Sequence, residues 1–252
     1  MIISTSKDFI FIHLEKCGGT SIETAIEPHL HWSDLIIGST TYGEKYQQNL
    51  YERFSIDKVN SEMLWKHSDA KQIHSFVTPN GWRDFNKISI VRNPMDLVGS
   101  LYSFSQTAIK YHVGRIHRQK WKEFLRIEEF PQIWPYTEGY IHAYAYSEVN
   151  GYGVNGFVDY LLNSDYHFIR PQFERLEVNK NLPIGNIFDL SDIDNGWESI
   201  KEIARLPKEL ELKKLNASEP AEFEISNKFI KKIKQHFAID YDLLPEYTGI
   251  KW

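Results

Sequence analysis

The stretch Phe9-Ile-Phe-Ile-His-Leu-Glu-Lys-Cys-Gly-Gly-Thr-Ser-Ile-Glu23 decides how the chain is read. Phe9 to Ile12 are aromatic or β-branched and too few for a helix, which predicts a buried strand. The pair Gly18-Gly19 then permits a sharp turn, because a backbone without Cβ atoms can present consecutive N–H groups and let a ligand approach closely. Thr20 and Ser21 open a helix whose free first-turn amides and dipole favour a bound phosphate or sulfate. Lys16, just before the turn, can bring its ammonium to the same anion. Taken alone, the stretch also fits an ordinary strand, turn and helix with glycine at the bend.

A second stretch, Lys87-Ile-Ser-Ile-Val-Arg-Asn-Pro-Met-Asp-Leu-Val-Gly-Ser-Leu-Tyr102, repeats the pattern. An apolar strand ends in Arg92, and Pro94 is placed to open a helix at its first position. Ser100 follows eight residues after Arg92, on the second turn of that helix. Together, Lys16-x-Gly-Gly-Thr-Ser and Arg92-Asn-Pro-x-Asp-x-x-x-Ser-x-Tyr resemble the sulfotransferases that use 3′-phosphoadenosine 5′-phosphosulfate (PAPS), most closely the carbohydrate-type branch.

The resemblance implies a P-loop NTPase-like sulfotransferase fold and PAPS as sulfuryl donor. It places Lys16, Cys17, Gly18, Gly19, Thr20 and Ser21 at the 5′-phosphosulfate, and Arg92 and Ser100 at the 3′-phosphate. Many relatives have Pro-Lys-Thr where this chain has Glu15-Lys16-Cys17. Cys17 keeps a small residue in the loop but loses a hydroxyl. Glu15 sets a negative charge beside a site for anions, so it is expected to face away or to pair with Lys16.

Length and composition set the frame for these motifs. At 252 residues and 42% hydrophobic content the chain can bury one sizeable core, which predicts a single domain over 1–252. A net charge of −5 and a pI near 6.1 give no basic field to recruit nucleic acid, so an anionic ligand must be bound by local clusters. Cys17 is the only cysteine, which excludes an intrachain disulfide. No run of eighteen apolar residues occurs, and Met1 to Lys16 lacks the features of a signal peptide; a soluble, cytoplasmic protein without a transmembrane segment is expected.

Along the chain, Thr20 to Ile26 continues the first helix and Glu27-Pro28 ends it. Residues 29–62 carry no clean period. Ala70 to Phe76 reads as a helix capped by Ser68 or Asp69, and Thr78-Pro-Asn-Gly81 as a turn. The strand from Lys87 to Arg92 and the helix from Pro94 to Phe104 complete a strand and helix alternation, which predicts a three-layer α/β domain with a central parallel sheet flanked by helices.

Residues 105–153 interrupt that alternation with a helical piece near Trp121 to Ile133. Their charges, Lys110 to Lys122, and their aromatics, Trp134 to Tyr152, read mostly as a solvated face and a local core. Only their place beside a PAPS site makes this elaboration an acceptor-binding candidate. Helix then returns over Asn155 to Leu162, with an extended piece over Tyr166 to Ile169 leaving through Arg170-Pro-Gln172. A strand over Gly185 to Leu190 leads to a helix from about Trp197, capped by Ser191 or Asp192. An amphipathic helix spans Ile225 to Phe237. The Pro-Gln exit and Asn216-Ala-Ser218 before the last helix also resemble the carbohydrate-type family. Asn216-Ala-Ser218 is a formal glycosylation sequon as well.

Sulfuryl transfer to a hydroxyl needs stabilisation of charge on the leaving oxygen and a base for the acceptor's proton. Lys16 and the loop amides suit the first need, and histidine suits the second. His67, in a Lys-His-Ser stretch between the two motifs, is the foremost candidate; His13, His31, His74 and Glu62 remain alternatives. The acceptor implied is a carbohydrate or glycolipid, and no metal is required.

Two other readings stand beside this one. A P-loop kinase would place its Lys after the glycines and an Asp at a strand end for magnesium, whereas here Lys16 precedes them and the second strand ends in Arg92. A protein that binds PAPS or its product without turnover would carry the same phosphate motifs.

Overall fold

The structure is a computed structural model that describes residues 1–38, 40–46, 64–112, 138–178, 185–215 and 224–252. These gather into two compact units, the first formed by Met1–Arg92, Gln172–Asn216 and Asp242–Trp252, the second by Asn93–Pro171 and Ala217–Tyr241. The elaboration over 105–153 falls within the second unit. The helical piece expected near Trp121 to Ile133, Asn216-Ala-Ser218 and Glu62 lie outside the described residues.

The first unit is α/β and holds one five-stranded sheet. Its strands are β1 (Ile2–Ser4), β2 (Phe9–Ile12), β3 (Leu35–Ile36), β4 (Asn86–Val91) and β5 (Asn186–Asp189), in the order β3-β1-β2-β4-β5. β2, β4 and β5 run parallel, with Ile12 opposite Ser89 and Val91 opposite Asp189. β1, however, is antiparallel to both β2 and β3, so the sheet is mixed and not the wholly parallel one expected. The reason is chain length. Only Thr5 to Asp8 separate β1 from β2, and a parallel crossover needs a dozen residues or more.

Burial explains the strands. Every residue of β1 and β2 is buried, and Ser89 on β4 meets its burial by donating its hydroxyl to the Ile12 carbonyl at 2.8 Å. Parallel β2 therefore reads as a continuous apolar run, whereas β5 alternates, with Ile187 and Asp189 buried and Asn186 and Phe188 half-buried.

The helices of this unit include α1 (Gly19–Ile26), α2 (Ala70–Phe76), α3 (Pro79–Asp84), α7 (Gln172–Leu176) and α8 (Ile193–Ile203). Asp69 caps α2 in a reciprocal box with Gln72, whose side chain accepts from the Asp69 amide at 2.9 Å. Thr78-Pro-Asn-Gly81 is the start of α3 and not a turn; Thr78 is its N-cap, accepting from the Gly81 amide at 3.1 Å, with Pro79 at the first position. Helix α8 starts at Ile193, earlier than expected, with Asp192 as its N-cap.

The second unit contains α4 (Pro94–His112), α5 (Glu138–Asn150), α6 (Gly153–Leu162) and α9 (Asn227–His236). Tyr166 to Ile169, expected to be extended, contains a 3₁₀ turn over His167–Ile169. Part of the aromatic run is local core: Tyr140 is buried, stacked on Phe168 with ring centres 4.0 Å apart, while Tyr152 is exposed. A further helix, α10 (Ala238–Thr248), follows α9 in sequence. Among the described residues no helix is long and apolar enough to cross a membrane.

The close seating of α1 generates a test. A Cβ on Gly19 would lie 2.2 Å from the His13 ring, whereas one on Gly185 would meet nothing within 4 Å. Gly19→Ala should lower the unfolding free energy by about 1–3 kcal/mol through overpacking, despite alanine's better helix propensity. Gly185→Ala should change it by less than about 1 kcal/mol. Urea unfolding of both variants checks this; a Gly19→Ala protein as stable as wild type would mean the imidazole does not sit beneath the loop.

Candidate functional site

The loop after β2 adopts the conformation that its glycines suggest, with one addition. Lys16 and Gly18 both have left-handed backbones, at φ +59° and +77°. For lysine this conformation carries a steric cost, and neighbouring groups hold it. Arg92, the residue after β4, donates from Nη1 to the Lys16 carbonyl at 3.2 Å.

Gln172 completes the brace. Its Oε1 accepts from the Arg92 amide at 2.9 Å and from the Cys17 thiol at 3.4 Å, and its Nε2 donates to the Arg92 carbonyl at 2.8 Å. Lys16 and Arg92, far apart in sequence, thus meet at the carboxyl ends of two adjacent parallel strands. β5 contributes Leu190 at its exit, where a Cβ on Gly18 would come within 2.7 Å of the leucine side chain.

Several side chains expected at the anion turn elsewhere. Cys17 is buried, its thiol donating to the Glu15 carbonyl at 3.3 Å as well as to Gln172. The Ser21 hydroxyl accepts from the Leu215 amide at 2.9 Å and anchors that segment. Both side chains are thus engaged within the protein, and the Ser21 amide donates to the Gly18 carbonyl at 3.1 Å. Gly18 is the N-cap of α1, and no side chain caps the helix. Thr20 is half-buried. Ser100 is buried on α4 in the second unit.

The loop carries a local surplus of positive charge. Burial pushes the Lys16 ammonium down to about 8, and the nearby charges of Arg92 and Lys66 push it the same way, with only Cys17 acting in opposition. Among the described residues no group of His, Cys, Asp or Glu side chains is placed to hold a metal ion.

Behind the loop lies a buried histidine pair. The His13 ring sits under Gly19, and its Nδ1 is 2.9 Å from Glu23 Oε1. Burial would push the Glu23 carboxyl up, but His13 and the chain's amino group, which donates to the same oxygen, hold it below its ordinary value. His67 packs edge-on against His13 with ring centres 4.6 Å apart. Its Nδ1 is 3.0 Å from the His13 carbonyl, an acceptor only, so Nδ1 carries the proton and Nε2 the lone pair. Burial keeps the His67 imidazole well below its ordinary pKa, and therefore neutral at pH 7.

Arg175, on α7, ties this region together. Its Nη1 donates to Glu15, its Nε to Asp69 Oδ1 at 2.9 Å, and its Nη2 to the His67 carbonyl at 3.1 Å. Arg175 is thus the partner that Glu15 finds. The other base candidates make local contacts: His31 Nδ1 meets Ser33 Oγ at 2.8 Å, and His74 packs on Trp82.

Sequence reading missed Glu23, Gln172 and Arg175 as site-building residues. The Pro-Gln exit was a partial signal for Gln172. Glu23 and Arg175 had none, because their partners lie across the fold. Comparison with known protein families, curated proteins and solved structures finds no match to this chain.

Lys16 supplies a test that does not depend on turnover. With its pKa near 8, Lys16 is about half protonated at pH 8, and an anion beside it would raise that pKa. Binding of 3′-phosphoadenosine 5′-phosphate should therefore take up a fraction of a proton at pH 8 and almost none at pH 6.5, where Lys16 is already charged. Affinity should weaken as pH rises through about 8. Calorimetry in buffers of different ionisation heat measures the uptake; none at pH 8 would show that Lys16 does not face the anion.

Proposed function

We propose that this protein transfers a sulfuryl group from PAPS to a hydroxyl-bearing acceptor, a carbohydrate or glycolipid, on a P-loop NTPase-like sulfotransferase fold. The observation that supports this most is the joining of the two phosphate motifs: Arg92 bonds the Lys16 carbonyl while Gln172 holds both Arg92 and Cys17. Lys16 and Arg92, with the charge of Lys66 near Lys16, gather positive charge beside the glycine turn, which suits an anionic donor.

The residues fit the donor's chemistry. Bound PAPS would supply the sulfuryl group and leave as 3′-phosphoadenosine 5′-phosphate. As the acceptor oxygen forms its bond to sulfur, the bond from sulfur to the bridging oxygen breaks, and negative charge gathers on that oxygen. The Lys16 ammonium and the amides of the Gly18-Gly19 turn stabilise this charge. His67 Nε2 takes the acceptor's hydroxyl proton, with its Nδ1–H held by the His13 carbonyl. The resemblance of the second motif assigns the 3′-phosphate to Arg92 and Ser100.

One observation favours a second reading. His67 keeps only 8% of its exposure, and a base so enclosed also suits a protein that binds PAPS or its product without turnover. Incubation with labelled PAPS and a panel of hydroxyl acceptors separates the two: labelled acceptor supports transfer, while tight binding with no product supports the binding protein.

Nucleotide choice tests the assignment of the second motif. The protein should bind 3′-phosphoadenosine 5′-phosphate more tightly than AMP by about 1.5–3 kcal/mol, on the order of tenfold to a hundredfold. Equal affinities in titration calorimetry would remove Arg92 and Ser100 from the 3′-phosphate.

The roles of Lys16 and His67 part in the kinetics. Lys16→Ala should reduce the rate more than it reduces product binding, and Arg92→Ala the reverse. His67→Ala should leave nucleotide affinity nearly intact and slow transfer by about 10²–10⁴-fold. Because His67 is held neutral, the wild-type rate should decline only well below pH 6.5. A His67→Ala protein of full activity would pass the base to His13, His31, His74 or Glu62.

A further inference from the structure

Arg175 is the largest fully buried side chain of the described residues, at 2% exposure, and its bonds to Glu15, Asp69 and the His67 carbonyl converge on the neighbourhood of one histidine. Glu15 belongs to the loop after β2, Asp69 caps α2, and the His67 carbonyl lies between them in the Trp65–Asp69 segment.

We infer that Arg175 is a positioning residue for His67. It clamps the His67 backbone so that the Nδ1–H meets the His13 carbonyl and Nε2 stays bare, and it neutralises Glu15, the carboxylate that would otherwise draw a proton onto the imidazole. This rests on the reading of His67 as the base of sulfuryl transfer.

The clamp acts through geometry first. A guanidinium is a rigid planar fork, so bonds to Glu15, Asp69 and the His67 carbonyl fix their relative positions together. The His67 carbonyl is held on one side of the residue by Arg175 and the ring on the other by the His13 carbonyl. The imidazole then has one orientation and one tautomer, set by the hydrogen bond at its second nitrogen.

The charges facing His67 act alongside. Glu15 pulls its pKa up, while His13 and Lys66 push it down and burial dominates both. Arg175 and Asp69 stand beside these, two carboxylates against one guanidinium. With Glu15 engaged by Arg175, burial prevails and the ring stays neutral. With the fork lost, the Glu15 charge faces the imidazole directly.

The test reads His67 itself, by NMR of the imidazole nitrogens in the full-length protein labelled at histidine. In wild type, His67 should show the Nδ1–H tautomer at pH 7 and no titration until well below pH 6.5. In Arg175→Lys, which keeps the charge and loses the fork, the signals should show mixed tautomers and a midpoint moved up by about 1 pH unit. In Glu15→Gln, where Asp69 still holds Arg175, the midpoint should move down by a similar amount.

A cluster that only braces the fold would shift His67 in the same direction in both variants or in neither, and either result overturns the inference. So does an Nε2–H tautomer in wild type. Should Arg175→Lys fail to fold, Glu15→Gln decides, an unchanged midpoint again overturning it. The acid limb of the transfer rate should follow the NMR midpoints. If wild type transfers no sulfuryl group, the functional reading falls while the NMR result stands by itself.

Discussion

The buried ion cluster around Arg175 is the constraint on which the first unit's loop region depends. An isolated carboxylate or guanidinium in a dry interior is costly, and removing one partner of a buried pair typically destabilises by about 3–5 kcal/mol because the other is left uncompensated. Glu15, Asp69 and Arg175 are each well buried, so none can leave without penalty. The energy at stake is less a net gain than a penalty on alternatives. Any arrangement that lets the β2 loop drift from the α2 cap must strand a charge.

A division of labour follows between side chains and backbone in that loop. Cys17 and Ser21 spend their side chains inward, on Gln172 and on Leu215, while the Ser21 amide stays within the loop on the Gly18 carbonyl. A bond from Arg92 to its carbonyl helps hold Lys16 in a left-handed backbone. The result is positive charge gathered in an acidic chain: against a net charge of −5, the charges of Lys16, Arg92 and Lys66 lie near enough to act on one another.

The elements that sequence reading recovered are those with local causes. Phe9–Ile12 and the strand ending before Arg92 announce themselves by β-branched and aromatic runs, and Ala70–Phe76 by its aspartate cap. The misreadings also have local causes. Thr78-Pro-Asn-Gly81 carries the same chemistry whether it turns the chain or starts a helix, since an N-cap threonine and a proline at the first position suit both. Ile2–Ser4 is too short to signal a strand alone. It becomes one because β2 and β3 offer hydrogen-bonding edges on either side, and its four-residue link to β2 makes the sheet mixed.

By itself the sequence determined the parallel strands β2, β4 and β5, the glycine turn beside Lys16, and the place of Arg92 at a strand end, because each follows from residue types within a few positions of one another. It also singled out His67 by its place between the two motifs. Only the tertiary structure decided what surrounds that histidine. His13 lends it a backbone carbonyl from 54 residues away, and Arg175 reaches its own carbonyl from 108. Such partners leave no periodic or spacing signal in the chain, since burial brings them together only after the sheet has formed, and a buried charge or imidazole must then take whichever partner the packing supplies.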